Sequence, residues 1–400
     1  MLDPIVSFIT RIFEWIGRGF GWLIAVILWP FMQAGKWYTK RGWIVRGVVG
    51  LIVLAIIGAY GWFIYNTQHW AGFDRDYPIS VVMAKGQSLA GEPVQAGSEN
   101  TAVAAAAPQV STADTTALSA NGSQVAQAQA PQACRRSAIV DMSAFLVDFN
   151  VNQNAWISSM LLSKAGLFGI EWKNTPFLDN KAAFQLGINQ VLRRTTTELV
   201  DSLGRVRGTS QIDQNLQDAR TALAYPETAW YVGWSGPTRP TPALQREAIG
   251  KLQAFNVDLE KCKTNFDARA DNLLTFVDRI AGDIGSTSDI LRSRMESSNA
   301  GWFDPRADDR FWFAYGQLYA YYGILSATRA DFSAIVNDRS IAQIYDRMIE
   351  QLRLSLDMTP WIISNGNESS AIFPSHLANM GFYLLRVRSN LVEIRSILDR

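Results

Sequence analysis

The sequence predicts an all-α protein: a single transmembrane helix followed by an antiparallel helical bundle with coiled-coil-like seams. Three observations carry that expectation. Trp43–Tyr65 (WIVRGVVGLIVLAIIGAYGWFIY) is uncharged from Gly47 onward, close to the ~20 apolar residues that cross a hydrocarbon core. Beyond residue 133, apolar residues recur in steps of three and four. No stretch alternates with period two over more than a few residues, so strands have no support.

Residues 1–42 are basic, apolar and rich in Trp, with Trp15, Trp22 and Trp29 suited to headgroup depth. Arg11, Glu14 and Arg18 interrupt the apolar run, which reads either as an interfacial amphipathic helix or as a poorer first span. In both cases Lys36, Lys40, Arg41 and Arg46 stay on the cytoplasmic side of the 43–66 span. Its other flank, 66–78, has Arg75 against Asp74 and Asp76. That asymmetry directs the rest of the chain to the far side, the periplasm if the membrane is a bacterial inner membrane. The basic flank also suits anionic lipids, although a topology signal alone accounts for it. A cleaved leader is disfavoured, because the basic region is too long and GWFIYNTQHW lacks a small-residue cleavage site.

Residues 67–133 read as a juxtamembrane segment and a linker. Lys85–Gln132 is Ala-, Gln-, Ser- and Thr-rich with almost no charge, too poor in apolar surface to offset the entropy of ordering. As a flexible tether it would reach roughly 40 Å and let the following domain stand off the membrane.

Residues 134–400 are predicted to form the periplasmic bundle, beginning with a helix near 140–165. Asp179 is the expected N-cap of a helix over 180–203, with Gly204 just past its end. A helix over 210–223 follows through Ile212, Leu216 and Ala219. A long seam runs over 241–285 from Ala248 to Ile284, with a stutter at Cys262, Phe266 and Ala270. Asp304-Pro305 opens a helix to about 336, and 340–357 adds another. The clearest seam is Leu377, Met380, Leu384, Val387, Leu391, Ile394 and Leu398.

Composition excludes several classes. A net charge of +1 gives no sign of a nucleic-acid partner. The sequence has 2 His and 2 Cys, with no zinc-type spacing, so no metal or other cofactor is expected. Phosphate-cradling, HExxH and GxSxG motifs are missing. Cys134 and Cys262 would lie in an oxidising compartment and either form one bridge or remain unpaired.

Aromatic residues supply the candidate contacts. On the helix Arg310–Leu325, Trp312, Tyr315 and Tyr319 belong to an aromatic set covering more than one face. Either that helix is central or a face meets a partner, glycan or lipid. In Glu227–Pro242, Trp230, Tyr231 and Trp234 sit among prolines, which suits an exposed binding loop, the alternative being packing over the bundle end. Glu296, followed by Ser297, echoes the catalytic Glu-Ser of lytic transglycosylases, but their downstream motif is missing. Glu171 and Glu368 are no stronger, since a lone carboxylate is weak evidence for glycosidase chemistry.

The basic Trp-rich N-terminus, the strong span, FLDNKAAFQLGINQVLRRTTTELVDSLGR and PETAWYVGW together resemble the DUF2333 proteins, a bacterial family of unknown function. The resemblance implies a Gram-negative inner-membrane protein and brings no catalytic residues. The expected function is a scaffold or interaction module in a cell-envelope assembly, with the lipid bilayer and other envelope proteins as partners and no oligomeric state implied. The alternatives are a peptidoglycan- or glycan-acting enzyme and a lipid-binding or membrane-shaping protein.

Overall fold

The computed structural model describes residues 3–78, 134–166, 170–175, 178–205, 211–233, 236–297, 304, 306–360, 362–366 and 374–400. The expected linker over 85–132, Trp234, Pro305 and Glu368 lie outside the described residues. The chain divides into two compact units, Met1–Tyr65 and Asn66–Arg400.

The first unit consists of α1 (Asp3–Thr39) and most of α2 (Trp43–Gln68). The apolar run interrupted by Arg11, Glu14 and Arg18 lies within one helix, which continues through Pro30 to Thr39. A tight turn at Lys40–Gly42 separates it from α2, and the Tyr38 hydroxyl donates to the Arg46 carbonyl at 2.9 Å. Lys36, Lys40, Arg41 and Arg46 are all exposed around this turn, and the Arg41 guanidinium lies 5.0 Å over the Trp37 ring. α2 is the one helix among the described residues long and apolar enough to cross a membrane. Its Leu51, Leu54 and Ile57 are exposed, as hydrocarbon-facing residues would be.

The second unit is a helical bundle. Its helices are α3 (Ala138–Asp148), the short α4 (Leu161–Ala165), α5 (Asn180–Glu198), α6 (Gln214–Leu223), α7 (Thr241–Glu260), α8 (Ala270–Ser297), α9 (Ala307–Asp331), the short α10 (Ser333–Asp338), α11 (Ala342–Ser355) and α12 (His376–Leu398). A two-stranded hairpin, β1 (Val232–Gly233) and β2 (Gly236–Pro237), precedes α7.

α9 is the central element and packs against α3, α5, α8, α11 and α12. Phe311, Tyr315, Leu318, Tyr319, Tyr321 and Ile324 are all buried, which explains an aromatic set wider than one stripe. α5 meets α9 backbone to backbone. A Cβ on Gly316 would lie 2.1 Å from the Phe184 carbonyl, and one on Gly187 would lie 2.1 Å from that of Phe313. The antiparallel arrangement expected of the bundle does not extend to this pair. Asp179 neighbours Asp309 at one end, while Arg194 and Tyr321 share Asp283 further along. The helices therefore run in the same direction. α8 and α12 run oppositely, with Asp278 paired to Arg395 at 3.0 Å and Gly285 beneath Arg388.

The seam of α12 is buried from Leu377 to Leu398 as its spacing predicts. The long seam over 241–285 is not one helix. Its apolar residues are buried, but the chain turns between α7 and α8, and Cys262 adopts a left-handed φ of 55°. Cys262 therefore lies in a turn rather than on a helix seam. The stutter marks a change of packing partner: α7 lies on α3 and α6, and α8 lies on α12.

The folded unit starts earlier than residue 134. Residues 66–78 form a strap across the bundle. Trp70 packs against Phe184 at 4.8 Å and Trp312 at 5.3 Å between ring centroids. Phe73 and Tyr77 stack on Tyr319 at 5.3 and 4.4 Å. The Tyr77 hydroxyl donates to the Tyr319 carbonyl at 2.7 Å. It lies over Gly323, where a Cβ would come within 2.3 Å of it. Buried Lys181 donates to the carbonyls of Asn66 at 3.0 Å and His69 at 2.6 Å. This places an ammonium at the carbonyl end of α2, where the helix dipole favours it.

This changes the role expected for the linker. Tyr77 is fixed in the core close behind the end of α2, and the chain is fixed again at Cys134. Residues 79–133 therefore connect two points on one folded unit instead of tethering that unit to the membrane helix. At the second point Cys134 is bonded to Cys262, and its N–H donates to the Glu260 carbonyl at 2.9 Å. Asp331, at the end of α9, accepts from the Ala138 and Ile139 N–H groups and the Ser137 hydroxyl at 2.7, 3.0 and 2.7 Å. It thus caps α3 across a long sequence separation.

Candidate functional site

The parallel packing of α5 and α9 places both N-termini at one end of the bundle. Asp179 precedes α5, and Asp308 and Asp309 lie in the first turn of α9. Asp179 is 3 % and Asp308 4 % exposed, and the side-chain partner of Asp179 is itself a carboxyl, that of Asp309. The expected side-chain cap at Asp179 does not form; only its backbone carbonyl engages α5, accepting from the Ala183 N–H at 3.0 Å. Burial, then the charges of Asp309 and Asp308, push the Asp179 carboxyl well above the usual range. Burial and the charge of Asp309 push Asp308 up to about 7. Asp309 is also raised by burial, with Arg310 moderating the rise. The physical cause is common to all of them: closely spaced carboxyls removed from water resist ionising together, which favours their protonated forms.

Asp179 and Asp309 line a cavity of about 480 Å³ with Trp172, Lys173, Leu186 and Phe313. This pair can take up and release a proton. It does not have glycosidase geometry, because carboxyls close enough to share a proton leave no room for the ~5–9.5 Å separation those reactions use. Glu296, the carboxylate nominated from sequence, is exposed and pairs with Arg292 at 2.7 Å, one turn away on α8. It occupies a solvated helix face. Glu171 pairs with Lys173 at 2.7 Å, also in solvent. Among the described residues no group of His, Cys, Asp and Glu has metal-binding geometry.

The aromatic candidates separate into two sets. Tyr315 and Tyr319 are fully buried, so neither offers a contact surface. The Tyr315 hydroxyl donates to the Leu356 carbonyl at 2.7 Å, and Trp312 is half-buried beneath Trp70. The face that sequence left open for a partner is covered by the chain's own strap. The hairpin differs. Its base is held by the Trp156 indole N–H donating to the Glu227 carbonyl at 2.8 Å and by Arg193 paired to Glu227 at 2.8 Å. The Thr241 hydroxyl donates to the Pro226 carbonyl at 2.7 Å. Above that base, Tyr231 is 63 % and Val232 59 % exposed, and Trp230 lies edge-on to Tyr231 at 6.0 Å.

Sequence reasoning missed the acidic cluster. It treated Asp179 as a cap and gave Asp308 and Asp309 no role. The available signal was Asp-Asp at the start of an apolar helix, but nothing local pairs it with Asp179.

The protein belongs to the bacterial DUF2333 family, described as an uncharacterised protein conserved in bacteria, which matches residues 129–302 and 292–400. No curated protein and no solved structure was found to match the chain.

Proposed function

We propose that this chain is a bacterial inner-membrane protein whose helical unit faces the periplasm and serves as an interaction module in an envelope assembly. The observation that carries this is the pairing of a membrane-length helix with a strap that builds the following residues directly into the bundle. Such a unit, folded from Asn66 onward, presents fixed surfaces, which suits a platform. The positive flank before α2 supports the cytoplasmic assignment of residues 1–42. The Cys134–Cys262 bond supports an oxidising compartment. The exposed side chains of Tyr231 and Val232, at the start of the first hairpin strand, are the surface offered to a protein partner, an exposed aromatic on a firmly held base.

Two measurements test the reading. A C-terminal alkaline phosphatase fusion should be active, and an inactive fusion would overturn the periplasmic assignment. A photo-crosslinking amino acid placed at residue 231 in cells should capture a discrete protein adduct. Crosslinks to lipid alone, or none, would count against the hairpin as a protein contact.

A further inference from the structure

We propose that the groove between α8 and α12 binds the phosphate of an anionic phospholipid headgroup. The groove encloses about 790 Å³. Gly282 and Gly285 keep the α8 side low, and Ser286, Ser293 and Ser297 supply hydroxyls along it. Arg294, Arg310 and Arg388 all line it, brought together from α8, α9 and α12. Their environments differ. Arg294 is committed to buried Asp304 through its Nε and a second guanidinium nitrogen. Among the described residues neither Arg310 nor Arg388 forms a close ion pair, although Arg310 lies near enough to Asp309 to draw its carboxyl down. Asp289 is the acidic side chain on the lining, and the balance there is positive.

Arg388 lies close over α8. A Cβ on Gly285 would lie 3.0 Å from its Nε and 3.5 Å from its Cζ, so the guanidinium rests on the bare backbone of α8. Planar guanidinium forks beside hydroxyl donors match the oxygens of a phosphate. The same groove carries apolar surface: Ile290 and Leu385 line it and are 40 % and 51 % exposed. One turn earlier on α12, Phe382 is 55 % exposed, with the Arg386 guanidinium 5.5 Å over its ring. Cationic and apolar surface side by side fits an amphiphile better than a free ion. The choice of a lipid rests on the membrane reading above, since the strap joins this unit directly to α2.

The test uses the full chain in an uncharged detergent and phosphate-free buffer. It is titrated with a short-chain phosphatidylglycerol, the matching phosphatidylcholine and inorganic phosphate, and binding is followed by 31P NMR. Saturable phosphatidylglycerol binding is expected, about tenfold tighter than inorganic phosphate or phosphatidylcholine. The double variant Arg310→Gln, Arg388→Gln should weaken it about tenfold or more while leaving the unliganded melting temperature unchanged. Lipid held around α2 contributes equally to both proteins, so their difference reads the groove. Gly285→Ala should also weaken binding by displacing Arg388. Absent saturation, or affinity equal in wild type and double variant, would overturn the site. Inorganic phosphate binding as tightly as the lipid would overturn the lipid as occupant. Failure of the phosphatase fusion would remove the periplasmic topology without touching these affinities.

Discussion

The aromatic face of α9 and the aromatic hairpin before α7 look alike as sequence and differ in the fold. Tyr315 and Tyr319 lie under Phe73 and Tyr77 of the strap, and Trp312 under Trp70. Tyr231 and Val232 stand in solvent on an anchored base. A helix in the middle of a bundle has neighbours all round, so its rings become core. A two-residue strand with one partner leaves the side chains of Tyr231 and Val232 uncovered. Aromatic content therefore marks both the best-protected and the least-protected surfaces here, and element type decides between them.

Removing the cover should have the largest effect. Tyr77→Ala is expected to cost about 3–5 kcal/mol, as for other buried aromatic truncations, read as a lowered denaturant midpoint. Tyr77→Phe should lose only about 1 kcal/mol, the hydrogen bond to the Tyr319 carbonyl. A Tyr77→Ala protein as stable as wild type would show that the strap is not part of the bundle.

Breaking the second fixed point comes next. The bond between Cys134 and Cys262 spans a sequence separation of 128. Cys134→Ser is expected to cost about 2–5 kcal/mol, measured by denaturation of the oxidised protein and its variant. An equal midpoint for both would mean that Asn256, whose side-chain oxygen accepts from the Ser137 N–H at 3.0 Å, and Asp331 hold the start of α3 without it.

The acidic end of α9 should respond to pH. Asp308 titrates near 7 when folded and below that when unfolded, so the folded state binds its proton more tightly between those values. The associated stability is full below about pH 4 and is lost as pH rises through 7. Thermal unfolding should therefore show a stability loss on the order of 1–3 kcal/mol from pH 5 to pH 8. The double variant Asp179→Asn, Asp308→Asn should flatten that slope; an unchanged slope would assign it to other groups.

The smallest effect on stability is expected at the hairpin. Tyr231→Ala should stay within about 0.5 kcal/mol of wild type, because its ring is mostly in water. A loss above 2 kcal/mol would show that the Tyr231 ring packs on something, and would remove the contrast with α9.

Several features were legible in the sequence because they are local. The apolar length of α2, the seam of α12 and the helical spacing of α5, α6 and α11 follow from periodicity alone. The break between α7 and α8 was not legible. Leu259, Phe266 and Leu273 keep apolar spacing across it, and no Gly or Pro marks the turn. The strap was hidden for a different reason. Trp70, Phe73 and Tyr77 follow a helix of membrane-spanning length and precede a segment too polar to fold alone, so nothing nearby in sequence shows what they pack on.

The sequence by itself determined the helical class, the membrane-length span and the family. These depend on residue spacing, span length and composition, which neighbouring residues set. Only the tertiary structure decided that the juxtamembrane segment is core, that Asp179 meets Asp308 and Asp309, and that Arg310 and Arg388 share a groove. Each of these joins residues far apart in the chain through helix packing, and packing is settled by shape and burial across the whole bundle.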